Sequence, residues 1–236
     1  MPINCEAKIH DENGKELIGK ASITYLGALI SNDGKIQSEL NRRLGMAAQV
    51  SIALKNVWNH TEWSKKDKEY IFNAMISSKL LYSLQCSWLN KSQRQQLDGF
   101  QIRILRQIAG IAPSFYSRVS NQTVLEKFNC KRMTQRLLEQ QLVLYGKVAK
   151  SADSIMNKIT FEEGSASPNE FQRKQGRPKL NWSAEVGKHA KKVNGNPIEL
   201  SADAWKANVK KYCKQSGTTQ TSTTQTSELW LAVAYR

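Results

Sequence analysis

The residue pattern predicts a mainly α-helical protein with a short β-hairpin region at its start, a basic helical bundle, and a smaller C-terminal helical segment. Three observations carry this. From Ile36 onward apolar residues recur at helical spacing, in stretches set apart by capping and breaking residues. Before Ile36 the apolar runs are short and surround turn residues, as in strands. The 236 residues carry a net charge of +15, and on two of the expected helices the cations lie opposite the apolar stripe.

Taken in order, residues 5–10 and 16–20 flank HDENGKE, whose Asn13-Gly14 pair is a hairpin signal. SITYLGALI, 22–30, reads as one further strand, and SNDGK, 31–35, as a turn. Ile36, Leu40, Ala47, Val50, Leu54 and Val57 predict one long helix over 36–58. Ser64 with Asp67 resembles a capping box that opens a helix over 64–84, with Tyr70, Ile71, Ala74, Ser78 and Leu81 near one face. Asn90 caps a third helix, which ends before Gly110 and Pro113. A short helix near 120–128, a long one near 131–150, and helices at 182–193 and 201–214 follow. Trp58, Tyr70, Tyr82 and Tyr145 sit at helical spacing and are expected in the core. SASPNEFQRKQGRP is a poor core former and reads as an exposed loop; 216–227 is low-complexity and reads as disordered. The apolar stretch 228–236 is given no role.

These signals divide the chain into a β-hairpin region at 1–35, a helical bundle at 36–112, a basic helical region at 113–158, an exposed basic loop at 159–181, helices at 182–214 and a tail at 215–236. The charge follows the division. Residues 1–40 have a net charge of −2, 41–150 of +12, 151–170 of −3, and 171–214 of +8. Such an excess suits a polyanion better than a small-molecule substrate.

Several classes are disfavoured. No apolar run of about 18 residues spans a bilayer, so no membrane partner is expected. MPINCEAKIHDENGK lacks the apolar core of a secretory signal. Cys5, Cys86, Cys130 and Cys213 are scattered and do not complete a zinc spacing with His10, His60 or His189. They read as reduced thiols of an intracellular protein, nuclear or cytoplasmic. Two-metal polymerases and nucleases need clustered carboxylates, and the six aspartates are all apart. There is no Tyr-x-Asp-Asp, no Gly-x-Ser-x-Gly and no phosphate-binding glycine loop. No catalytic residue and no cofactor is expected.

The expected partner is nucleic acid. Leu97, Phe100, Ile104 and Ile108 fall within an arc of about 80° at helical spacing, with Arg103 and Arg106 on the other side. In 131–150, Leu137, Leu144, Tyr145 and Val148 oppose Arg132, Arg136, Lys147 and Lys150, which gather within about 60°. With Arg42, Arg43 and Lys79, these are the expected phosphate contacts. RKQGRPKLNW, 173–182, allows two readings. An extended Gly-Arg-Pro can lie in a narrow minor groove, with Arg177 and Lys179 as contacts. Equally, Pro178 can open the helix that contains Trp182.

Several stretches together resemble the C-terminal portion of a non-LTR (LINE-type) retrotransposon reverse transcriptase, the part after the polymerase palm. They are Tyr25-Leu26-Gly27 with Asp33-Gly34 and Glu39-Leu40-Asn41-Arg42-Arg43-Leu44; Lys79-Leu80-Leu81-Tyr82 with Trp88-Leu89, Leu97-Asp98-Gly99-Phe100 and Leu105-Arg106; Ser117-Arg118-Val119-Ser120-Asn121 with Val124-Leu125; Leu144-Tyr145-Gly146-Lys147-Val148-Ala149-Lys150; and Gly176-Arg177-Pro178-Lys179 with Trp182 and Trp205-Lys206. Ser83 and Gln85 stand where that family usually has Gly and Glu, and Lys147 and Lys150 where many members have His and Arg. The resemblance implies that 5–34 are the last palm hairpins, that 36–110 are thumb helices holding a template–primer duplex, and that 115–214 are a further basic region. It also implies that fingers and a palm with metal-binding aspartates lie on an upstream polypeptide. It favours an ordered connector at Gly-Arg-Pro over a free hook. The leading expectation is a non-catalytic fragment that binds a DNA, RNA or hybrid duplex by its backbone. The alternatives are a sequence-reading DNA-binding protein, with 120–128 and 131–150 as a helix-turn-helix and an AT-hook-like loop, and an inert retroelement relic.

Overall fold

The computed structural model describes residues 9–10, 12, 14, 16–17, 20–60, 62–162 and 181–215. Arg177 and Lys179, the exposed-loop reading over 163–180 and the low-complexity tail lie outside these residues, while at the start of the expected loop Thr160 and Phe161 are buried. The described chain is mainly α-helical, with β structure at its start.

Two antiparallel hairpins open the chain, β1 (Ile9–His10) with β2 (Glu16–Leu17), and β3 (Ser22–Tyr25) with β4 (Ala28–Ser31). The second corrects the single strand expected over 22–30. Ser22 pairs with Ser31 and Tyr25 with Ala28, leaving Leu26-Gly27 as a two-residue turn. Both turn residues have positive φ, 46° and 76°, as a type I′ turn demands. Glycine adopts that conformation freely. Leu26 does not, which is why periodicity alone reads straight through it.

Helix α1 (Gln37–Ala53) breaks at Leu54 before α2 (Lys55–Asn59), where one helix was expected. The Trp58 indole donates to the Ser51 carbonyl at 3.1 Å, bonding an end carbonyl of α1. The Ser64–Asp67 capping box forms and opens α3 (Lys65–Ile71). That helix continues through a π-helical turn, Phe72–Ser77, into α4 (Ser78–Leu81). The wider turn carries Phe72, Ile76 and Leu80 into the core. The expected inner face is therefore wrong in part: Tyr70, Ala74 and Ser78 are exposed, and Tyr70 by 74%. Trp58 and Tyr145 are buried as expected, whereas Tyr82 is 51% exposed.

Asn90 caps α5 (Lys91–Ile108) through a capping box with Gln93. A turn of helix, α6 (Ser114–Ser117), and α7 (Asn121–Lys127) lead to α8 (Met133–Lys150). Then come α9 (Ile155–Thr160), unexpected from the sequence, α10 (Trp182–Ala190), and a last helix, α11, over 202–215. There are two apolar cores. The first joins α1 to α5 with α7 and the start of α8, around Leu40, Phe72, Leu80, Leu97 and Leu105. The second joins the rest of α8 to α9, α10 and α11, around Tyr145, Phe161, Val186 and Trp205. Met133 and Leu137 lie in one core and Leu142 and Tyr145 in the other, so α8 threads both.

Three clamps fix this arrangement, each built on residues of the motifs above. Asp98 accepts from the Thr134 amide at 2.9 Å and hydroxyl at 2.8 Å, and Gln101 accepts from the Met133 amide at 2.7 Å, so α5 caps the N-terminus of α8. The Trp182 indole donates to the Gln85 carbonyl at 2.8 Å, tying α10 to the first core. Trp205 donates to the Leu142 carbonyl at 2.9 Å and packs against Gly146, where a Cβ would meet the indole at 2.3 Å.

Candidate nucleic-acid interface

The cations expected to hold phosphate separate into two groups. Several are turned into the protein. Arg43 is 5% exposed. It donates to Glu39 at 2.7 Å and to the Gly27 carbonyl, with its guanidinium 4.5 Å from the Tyr82 ring centre. Arg42 donates to Glu39 at 2.8 Å and to Gly27 at 2.5 Å. Glu39, 2% exposed, also accepts from the Ser83 hydroxyl at 2.8 Å and the Leu29 amide at 3.1 Å. Burial alone would raise its carboxyl, but these hydrogen bonds outweigh burial and hold it down at about 2. The Tyr82 hydroxyl donates to the Leu26 carbonyl at 2.8 Å. Tyr25-Leu26-Gly27, Glu39, Arg42, Arg43 and Tyr82 thus dock the hairpin on α1.

Arg106 is likewise interior, 6% exposed. It donates to the carbonyls of Ala112 at 3.0 Å and Val119 at 2.6 Å, and to Ser117 and Asn121. It is the post around which residues 112–121 turn. For Arg43 and Arg106 the expectation of phosphate contact is corrected: a buried guanidinium whose N–H groups already have acceptors does not reach a polyanion outside. Arg136 donates to Asn73 at 2.5 Å and Lys150 to the Leu200 carbonyl, so both are engaged within the chain.

The second group faces outward. Lys79, Arg103 and Lys147 are exposed and pair with no carboxylate among the described residues. Arg132 is half-buried and lines a groove of about 480 Å³ between α5, α8 and α10. There it is joined by Lys91 and Arg94, which sequence reasoning missed, and by the rings of Trp88 and His189. The missed signal was positional. α5 opens on Lys-Ser-Gln-Arg and has no acid in its first turn, although the positive end of a helix dipole disfavours cations. Among the described residues the one carboxylate on the groove wall is Asp98, which is bonded to Thr134. Burial lifts its carboxyl above the ordinary range, against the pull of the Thr134 hydrogen bonds and of Arg132 nearby.

The aromatic wall is layered. The Arg94 guanidinium lies over the Trp88 ring at 5.2 Å, and His189 stands 5.8 Å from Trp88 on the side of α10. His189 Nδ1 and the Tyr212 hydroxyl share a hydrogen bond at 2.9 Å. Burial first, then Lys192 and Arg94, push its imidazole below its usual value, so the ring is neutral at pH 7.

A helix-turn-helix at α7 and α8 needs the start of α8 free to enter a major groove. Here that start is held against α5, with Met133 fully buried and its amide given to Gln101. Among the described residues no group of three or more His, Cys, Asp or Glu could hold a metal ion, and no helix is long and apolar enough to cross a membrane. No protein-family model matches the chain, and neither does any curated protein or solved structure.

Proposed function

We propose that this chain is a non-catalytic, nucleic-acid-binding piece of a non-LTR retrotransposon-type reverse transcriptase, its thumb and the helical region beyond, and that it holds a duplex through phosphate contacts. The observation that carries this is the groove: Lys91, Arg94 and Arg132 converge there beside Trp88, and its one carboxylate is already bonded. The order of the motifs along the chain supports the family reading. So does the clamp that docks Tyr25-Leu26-Gly27 on Glu39, since it gives those motif residues a common structural purpose. The partners in this reading are a DNA, RNA or hybrid duplex and the palm and fingers of such an enzyme. The apolar residues Ile23, Tyr25 and Ile30, exposed on the second hairpin, suit such a neighbour.

The test is duplex affinity measured across a salt series. If about five cations neutralise phosphates, log affinity falls with log salt at a slope of about −4 to −5. Each Ala substitution at Lys91, Arg94 or Arg132 reduces that slope by about 0.9. A flat salt response removes the proposal.

A further inference from the structure

We infer that the groove between α5, α8 and α10 takes an unpaired stretch of nucleic acid, one base stacking on the Arg94 guanidinium while the adjoining phosphates meet Lys91 and Arg132. This deepens the proposed function and rests on it. Size argues first. A groove of about 480 Å³ lies within the roughly 300–1,000 Å³ typical of small-ligand sites, which suits a nucleotide entering it, whereas a duplex meets the same cations only by laying its backbone across the mouth. Surface chemistry argues second. Arg94 lies over the Trp88 indole at 5.2 Å and pairs with no carboxylate among the described residues. Its guanidinium is therefore attracted to the ring face by cation–π interaction. A half-buried guanidinium seated over a ring in this way offers a planar group on which any base can stack. Charge argues third. A cation at the start of α5, another beside it and a third just before α8 line a single groove, and among the described residues none of the three side chains is held by a hydrogen bond. Direct backbone binding of a duplex needs the charges alone. The layered ring needs an exposed base face to be of use.

The decisive substitution is Arg94→Lys, which keeps the charge and removes the plane. Full-length chain is titrated into labelled single strands, one arm DNA and one arm RNA, and into a duplex of equal length, by fluorescence anisotropy across salt. R94K is expected to weaken single-strand binding about fivefold or more in at least one arm, with its salt slope retained and a smaller loss on duplex. Trp88→Leu removes the support and is expected to do likewise, while Trp88→Phe keeps a ring and retains more affinity than W88L. Circular dichroism melting confirms that each variant is folded. The inference is overturned if folded R94K binds single strands as tightly as the parent chain, or loses as much on duplex as on single strands. Should duplex binding with its salt slope persist in that result, only the groove assignment falls. If neither form of nucleic acid binds the parent chain, the underlying proposal falls with it.

Discussion

Glu39 accepts hydrogen bonds from both Arg42 and Arg43, and so decides where two of the chain's 35 basic residues point. Removing it leaves a buried guanidinium without its counter-charge. Glu39→Ala is expected to cost about 3 kcal/mol or more in urea unfolding. The acid limb of stability carries the same signature. A carboxyl held down at about 2 from an ordinary 4.5 stabilises the fold fully above the unfolded value, and this contribution is lost as pH falls from about 4.5 towards 2. Glu39→Gln is expected to lower stability at pH 7 and to flatten the decline across that window. Ser83 gives a second test. It stands at φ 64°, a conformation that suits the Gly usual in the resembled family, yet its hydroxyl serves Glu39. Ser83→Ala keeps the strain and loses the bond, whereas Ser83→Gly loses the bond but relieves the strain. The glycine variant is expected to be the more stable of the two by about 1 kcal/mol.

Among the elements, α8 is the one on which both cores depend. Its register against α11 is set by Gly146, because the Trp205 ring occupies the space of a side chain there. Gly146→Ala forces a clash with a fully buried indole and is expected to destabilise by about 1–3 kcal/mol, read as a lower thermal midpoint. The hairpin and the π-helical turn mark where reading the sequence failed locally. Nothing at Leu26 announces a positive φ; the carbonyls of Leu26 and Gly27 are held by Tyr82, Arg42 and Arg43, which over-determine the turn. The π turn similarly rotates the inner face away from Tyr70 towards Phe72 and Ile76. Helix caps, by contrast, were legible at both Ser64 and Asn90, because a cap involves residues only three positions apart.

Across the protein as a unit, the charge excess is real but not all of it is at the surface to bind. Arg106→Ala is expected to destabilise the chain by about 2–4 kcal/mol, since two backbone carbonyls and two side-chain oxygens over 112–121 lose their donor, while folded protein keeps the parent's salt slope on duplex. Groove substitutions should show the reverse, a changed slope with little change in stability. That contrast separates cations that build the fold from those proposed to grip a phosphate chain.

The helical character, the main helix starts and the net charge were present in the amino-acid order, because periodicity, caps and composition are local or additive properties. The division of cations between inside and outside was not. Arg106 points inward because Val119 and Asn121 return to meet it, and Glu39 is complete only when Ser83, 44 residues away, arrives beside it. The groove likewise exists only because α10 packs beside α8 and brings His189 to Trp88. A helical wheel places a side chain on a face of its own helix, and what that face meets is settled only when distant segments pack together.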